Sequence, residues 1–111
     1  MTFDCEKIVY SLEDNWDELV SITFVNGNHY LSFCSLAYED EIGVELNDQV
    51  NYLSVLKSGF KFELSEKSLR VTLENPMNQG KFSELDFIVY FPDIEFEKLT
   101  RAIHVLIAVN L

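Results

Sequence analysis

Most of this chain alternates apolar and polar side chains with a period of two, which is the pattern of a half-buried β-strand. The alternation runs through Val20, Ile22 and Phe24 and resumes over His29–Ala37. The Asn-Gly-Asn turn at residues 26–28 joins the two segments, and its residues tolerate positive φ. We therefore predict a β-hairpin here. Since each strand has one apolar face, the hairpin has to bury that face against a second layer.

Further segments carry the same alternation or a composition rich in β-branched and aromatic residues. They predict a strand over residues 5–12 with Ile8, Tyr10 and Leu12 on one face, a short strand over Ile42–Leu46, a hairpin of Phe60–Leu64 with Leu69–Leu73, and a buried strand over Leu85–Phe91. Polar stretches are expected to form loops at Asn47, Asp48, Gln49 and Asn51 and at residues 75–80. The body of the protein is therefore expected to be a curved antiparallel β-sheet.

The period changes from two to about 3.6 near the C-terminal end of the sequence. One helical stripe contains Phe96, Leu99, Ile103, Leu106 and Ile107. Asp93 is the expected N-cap, and acidic residues precede basic ones, as the helix dipole favours. The predicted fold is a single α+β domain over residues 1–111, in which the C-terminal amphipathic helix packs on one face of the curved antiparallel sheet.

Composition and targeting signals indicate a soluble protein. Hydrophobic residues make up 48% of the chain, enough for a core, and Gly and Pro are few. No basic segment followed by a long apolar run is present at the start, so no secretory signal is expected. Residues 99–111 are too short and too often interrupted to cross a bilayer. Cys5 and Cys34 stand alone, as reduced thiols of a cytoplasmic protein do.

Candidate catalytic residues are scarce. Cys34 with His29 or His104 is the natural pairing of nucleophile and base, but nothing in the sequence places them together. A phosphate-binding glycine loop and a nucleophile elbow are absent from the sequence. Neighbouring carboxylates are unspecific in so acidic a chain, and residues 39–48 lack the spacing of a Ca²⁺ loop with its central glycine. We expect no enzymatic activity, no bound metal and no cofactor.

Charge is the most unusual property of the sequence. The chain has 19 acidic and 8 basic residues, a formal net charge of −11. Residues 1–56 contain 11 acidic residues and only Lys7, a net charge of −10, whereas residues 57–111 contain 8 acidic and 7 basic residues, a net charge of −1. Nucleic acids and anionic membranes are poor partners for such a field. A basic protein is the expected partner.

Two acidic clusters are the candidate partner-binding sites. The first contains Glu39, Asp40, Glu41, Glu45 and Asp48, with Gln49 and Tyr52 at its edge. The second contains Asp14, Trp16 and Asp17. Charged loops that only keep the protein soluble would explain both clusters. The absence of lysine and arginine within them favours instead an interface that recognises Lys and Arg through ion pairs and cation–π contacts.

The segment Tyr38–Gln49, followed by Phe60–Leu64 and residues 68–73, resembles bacterial immunity proteins of polymorphic-toxin and contact-dependent growth inhibition systems, above all the tenth named immunity family. The similarity is carried by Glu45, the Asp48-Gln49 pair, the hairpin with Leu69 and the strand and helix that follow, and it spans residues 38–107. It implies a cytoplasmic protein that occludes the active site of a cognate toxin domain delivered by neighbouring cells.

Charge supplies a separate argument for the same partner. Toxins that cut RNA or DNA need cationic clefts for the phosphate backbone, and an acidic inhibitor can occupy such a cleft. The expected partner is therefore a basic toxin domain, a nuclease in particular. One alternative is a small-molecule-binding or regulatory module with a pocket of Phe and Tyr side chains between sheet and helix. Another is a nucleic-acid mimic directed at a different enzyme.

Overall fold

The structure, a computed structural model, describes residues 1–11, 19–36, 40–76, 85–91 and 96–107. These residues form β1 (Thr2–Asp4), β2 (Lys7–Ser11), β3 (Leu19–Asn26), β4 (His29–Leu36), β5 (Glu41–Leu46), β6 (Asp48–Leu56), a 3₁₀ turn (Lys57–Gly59), β7 (Phe60–Leu64), β8 (Ser68–Leu73), β9 (Asp86–Tyr90) and α1 (Phe96–Ile107). The fold is mixed α+β with one C-terminal helix on a sheet, so the predicted fold class is confirmed.

The first sheet has five strands in the order β2-β3-β4-β5-β6, each antiparallel to its neighbour. Its centre is the predicted hairpin, in which β3 and β4 pair from Leu19↔Leu36 to Asn26↔His29. Gly27 adopts a φ of 59° at the turn, a conformation that costs glycine no steric strain. The Asn-Gly signal therefore placed this hairpin correctly.

The second sheet has four strands in the order β1-β9-β8-β7. The predicted hairpin of β7 and β8 and the predicted strand β9 are both present. β1 adds to this sheet in parallel, with Thr2 opposite Ile88, so not every pair is antiparallel. Two antiparallel-rich sheets thus replace the single curved sheet that the alternation suggested.

The chain crosses from one sheet to the other at Cys5 and Glu6. The Cys5 N–H donates to the Tyr90 carbonyl at 2.7 Å, and the Glu6 N–H donates to the Val25 carbonyl at 2.8 Å. Consecutive residues are therefore bonded to different sheets. The strand predicted over residues 5–12 is for this reason shorter: β2 begins at Lys7, after the crossing, and Leu12 lies outside the described residues. Strand β1, which ends before the crossing, was not predicted.

The apolar faces of the two sheets meet in one core. Phe33 of the five-stranded sheet stands edge-to-face against Phe24 at 6.2 Å, Phe60 at 5.4 Å and Phe87 at 6.1 Å between ring centroids. Phe60 and Phe87 belong to the other sheet. Such edge-to-face arrangements match the negative face of one ring to the positive edge of the next. The Phe33 ring therefore joins the two layers.

Helix α1 covers part of the same core. Its side chains Leu99, Ala102, Ile103 and Leu106 are buried, and the Leu106 carbonyl accepts a hydrogen bond from the Ser35 hydroxyl at 3.1 Å. Phe96, which the helical stripe also includes, is 45% exposed. The packing of the helix on the sheet is confirmed, while the predicted N-cap Asp93 lies outside the described residues. No helix in the described part of the chain is long and apolar enough to span a membrane.

Candidate protein-binding surface

Two carboxylates stand on the outer face of strand β5. Ile42 and Val44 are buried, while Glu41 and Glu45 alternate with them and are half-buried on the opposite side. Because side chains two and four residues apart point to the same face of a strand, Glu41 and Glu45 share the outer face, about 13 Å apart along the strand. We define the acidic surface as these two residues together with Asp40, which is exposed just before β5.

Glu45 is held by its neighbours in the sheet. The Tyr30 hydroxyl donates to the Glu45 carboxylate at 3.2 Å, and Glu45 lies opposite Ser32 in the pairing of β4 with β5. Burial, and secondly the Glu45 carboxylate, raise the pKa of the Cys34 thiol on the same face. Cys34 is therefore kept protonated, the unreactive form of a cysteine.

Asp40 lies beside a lysine from the other half of the chain. The Lys57 N–H donates to the Asp40 carbonyl at 3.0 Å, and Lys57 as a residue is only 5% exposed. Burial lowers the pKa of the Lys57 ammonium, and the Asp40 carboxylate opposes that shift. The first acidic cluster is thus not wholly without a nearby cation, because Lys57 follows it in sequence but adjoins it in space.

The turn after β5 is made by Asn47 alone, which adopts a φ of 65°. Its side-chain oxygen accepts the Tyr30 N–H at 3.0 Å and lies 3.3 Å from His29 Nδ1, while its own N–H donates to the Tyr30 carbonyl at 2.9 Å. Asn readily adopts this left-handed conformation. One residue therefore suffices for the turn, and Leu46 already pairs with Asp48.

The predicted polar loop at residues 47–51 is therefore wrong beyond Asn47. Asp48 begins strand β6, and Gln49 and Tyr52 lie within it. β6 is an edge strand of the five-stranded sheet, and an edge of an antiparallel sheet accommodates polar residues more readily than its centre does. A register shift between Val44 and Leu46 accommodates the irregular start of β6.

The structure describes some of the residues predicted to bind a partner, and others lie outside the described residues. It brings Asp40, Glu41 and Glu45 together at β5 and places Asp48, Gln49 and Tyr52 in the backbone of the adjacent strand. Glu39 and the second cluster, Asp14, Trp16 and Asp17, lie outside the described residues. The candidate site is therefore built on β5.

The outer face of the four-stranded sheet is charged differently. The Arg70 guanidinium donates to both oxygens of Asp86 at 3.2 and 2.8 Å. Lys61 and Glu63 are exposed on the same face, opposite Thr72 and Arg70 respectively. Acidic and basic groups therefore alternate on this face. The five-stranded sheet has a different composition, because it lies entirely within residues 7–56 and Lys7 is the one basic residue in that range.

The candidate nucleophile and bases are dispersed. His29 and Cys34 are five residues apart on β4, so they lie on opposite faces of that strand and about 16 Å apart along it. His104 is on α1, where its ring stands edge-to-face to Phe62 at 6.2 Å. Among the described residues, no group of three or more His, Cys, Asp or Glu side chains could hold a metal ion.

Sequence reasoning missed three residues that shape this surface: Tyr30, Asn47 and Lys57. Tyr30 belongs to β4 of the predicted β3–β4 hairpin, so adding the next strand to that hairpin would have placed Tyr30 beside it. The contact of Lys57 with Asp40 spans 17 residues and has no local signal.

Comparisons of this chain with family models, with curated proteins and with solved structures found no match.

Proposed function

We propose that this protein is an immunity protein that binds a toxin domain with a basic active-site cleft, a nuclease in particular, and neutralises it by occluding that cleft. The supporting observation is the unequal charge of the two parts of the chain from which the two sheets are mainly built. The five-stranded sheet belongs to the part of the chain with a net charge of −10, and the four-stranded sheet, apart from β1, belongs to the part with −1.

The acidic surface has the chemistry that a cationic cleft requires. Glu41 and Glu45 project from a strand rather than from a loop, and Glu45 accepts a hydrogen bond from the Tyr30 hydroxyl. Carboxylates fixed in this way can replace the phosphates of a nucleic acid without losing much conformational freedom on binding. Complementary charge also accelerates encounter, by roughly 10- to 1000-fold at low salt. Speed matters for an inhibitor that has to act before its target is cut.

The resemblance of residues 38–107 to the tenth named immunity family supports the same proposal. It also supports a cellular compartment for this protein. A nuclease toxin delivered by a neighbouring cell acts in the cytoplasm, and we place this protein there as part of the proposal.

The test begins at the gene. An immunity gene lies directly downstream of a large effector gene, and the C-terminal domain of that effector is the toxin to express. Co-expression with the present chain should restore growth of cells that the toxin domain alone kills. Failure to restore growth, or the absence of any effector gene upstream, would contradict the proposal.

A pair of matched variants locates the contact. Glu41→Lys with Glu45→Lys changes the acidic surface, and Glu66→Lys with Glu74→Lys changes two exposed residues next to strand β8. Both pairs change the net charge from −11 to −7. The first pair should slow association with the toxin domain by about tenfold or more at low salt, and the second by less than about twofold. Equal rates would show that only net charge matters.

A further inference from the structure

Strand β7 (Phe60–Leu64) is an edge of the four-stranded sheet, and none of the described strands pairs with its outer side. Its outward side chains Lys61 and Glu63 are exposed, and Phe62 and Leu64 are half-buried on the inner side. A shallow cavity of about 140 Å³ lies where β7 meets β8, and its lining consists of Lys61, Phe62, Glu63, Arg70 and Thr72. An edge strand of this kind presents unpaired backbone groups to solvent.

The hydrogen bonds at the two ends of the β7–β8 hairpin identify those groups. The Glu74 N–H donates to the Gly59 carbonyl, and the Ser65 N–H donates to the Ser68 carbonyl, both at 2.8 Å. Since hydrogen-bonded and non-hydrogen-bonded pairs alternate in an antiparallel ladder, Lys61 and Glu63 bond toward β8. Phe62 and Leu64 therefore turn their N–H and C=O groups to the free edge.

Phe60 contributes an acceptor to that edge. Its N–H donates to the Lys57 carbonyl within the 3₁₀ turn, so its own carbonyl is the group left for a neighbouring strand. The free edge thus offers, in order, an acceptor at Phe60, a donor and an acceptor at Phe62, and a donor at Leu64. When two such edges run antiparallel and are centred on Phe62, each donor of one edge lies opposite an acceptor of the other.

The charges on the edge are self-complementary about the same point. In an antiparallel pair of two β7 strands centred on Phe62, Lys61 of each copy lies opposite Glu63 of the other. Opposite charges in directly opposed positions stabilise a strand pair. Shifting the register by two residues in either direction places Lys61 opposite Lys61, or Glu63 opposite Glu63, and like charges in opposed positions destabilise it. The charges therefore select one register.

We propose that the β7 edge binds a second copy of this chain, forming a two-fold symmetric dimer through an antiparallel β7–β7 pair. Four backbone hydrogen bonds hold it, two between the Phe62 residues and two from the Leu64 N–H to the Phe60 carbonyl of the other copy. The dimer joins two four-stranded sheets into one. It does not involve the outer face of the five-stranded sheet, so it is independent of toxin binding.

The distribution of charge permits this contact despite a net charge of −11 on each chain. β7 belongs to the half of the chain that carries only −1, and its own Lys61 and Glu63 cancel, so the paired strands bring no excess of negative charge together. A contact made of one five-residue strand edge is at the small end of protein interfaces, below roughly 1,200 Å² in total, and so the dimer is weak. It forms at high protein concentration.

Two of the other edges are less suited to pairing. β1 has only three residues, and on β6 the side chains Leu53, Ser54 and Val55 are all buried.

Charge exchange tests the proposal directly, with sedimentation equilibrium over a wide range of protein concentration as the measurement. Lys61→Glu and Glu63→Lys, made singly, should each weaken dimerisation by about tenfold or more, because two opposite-charge pairs become like-charge pairs. The double variant Lys61→Glu with Glu63→Lys should dimerise like the natural chain. An equimolar mixture of the two single variants should form the heterodimer, although neither pairs with itself.

Both single variants change exposed side chains, and an unchanged thermal unfolding midpoint checks that each is folded. Two outcomes would overturn the proposal. A natural chain that stays monomeric up to about millimolar concentration has no usable edge. Single variants that dimerise as strongly as the natural chain would show that a surface other than β7 makes the contact.

Discussion

The two sheets of this protein have the same kind of inner face and different outer faces. Inside, both contribute aromatic and branched aliphatic side chains to one core, with Phe33 touching rings from each layer. Outside, the four-stranded sheet sets cations beside anions, as in the Arg70–Asp86 pair. The five-stranded sheet presents Glu41 and Glu45 with a tyrosine hydroxyl as the hydrogen-bond partner of Glu45.

This difference separates what makes the protein fold from what makes it bind. Burial of apolar side chains drives folding in both layers and is indifferent to the sign of surface charge. Paired charges on an exposed face contribute little to stability, and uncompensated charges contribute less still. The excess of acidic residues in residues 1–56, 11 against one basic residue, is therefore not required for folding, and the proposed function assigns it to recognition.

The largest effect is expected where the two layers are joined. Phe33→Ala removes a ring that is 1% exposed and contacts both sheets, and should lower the free energy of unfolding by about 3–5 kcal/mol. Urea denaturation followed by circular dichroism measures it, and amide hydrogen exchange shows whether both sheets lose protection together. A loss confined to one sheet would mean that the layers are separate cooperative units.

A somewhat smaller effect is expected where the helix meets the five-stranded sheet. Leu99 is fully buried, so Leu99→Ala should cost about 2–5 kcal/mol of unfolding free energy. Phe96→Ala on the same helix removes a side chain that is 45% exposed and should cost clearly less. The same denaturant titration serves for both variants. If the two costs were equal, the helix would not be anchored through the stripe that the structure buries.

The smallest effect is expected at the paired charges of the four-stranded sheet. Hydrogen bonds from Arg70 lower the pKa of the Asp86 carboxyl, so the pair stabilises the fold above the unfolded-state pKa of Asp86 and ceases to do so as pH falls through its folded-state pKa. Arg70→Gln should raise the pKa of Asp86 toward its ordinary range and slightly lower the unfolding midpoint at neutral pH only.

A carboxyl NMR titration measures that pKa, and Lys67→Gln, another exposed cation in the same hairpin, is the control that should leave it unchanged. A drop in the unfolding midpoint that persisted at strongly acidic pH would attribute the stabilisation to Arg70 packing rather than to its charge.

Much of the fold could be predicted because its signals are local. The β3–β4 hairpin follows from alternation and an Asn-Gly turn, and α1 follows from a change of period within a few residues. The division of the chain into two sheets could not be predicted. The crossing occupies only Cys5 and Glu6, and so short an interruption of the apolar–polar alternation does not stand out in the sequence. The pairing of β1 with β9 joins residues 86 positions apart and leaves no mark on either segment.

The candidate site was predictable in composition but not in geometry. Counting charges identified Asp40, Glu41 and Glu45, and strand alternation could place the two glutamates on one face. It could not identify Asn47 as a one-residue turn, because several polar residues follow it and each of them is also common in loops. Nor could it place Lys57 beside Asp40, since that contact depends on how β5 and β6 align.

The parallel pairing of β1 with β9 also sets an order of events during synthesis. Each strand from β2 to β6 pairs with the strand next to it in sequence, so the five-stranded sheet can begin to form from short-range contacts as the chain emerges. β1 has no partner until residues 86–90 have been made, although it is synthesised before every other described strand. The layer that carries the acidic surface is thus expected to assemble before the other, and β1 is expected to become ordered only after β9 has been made.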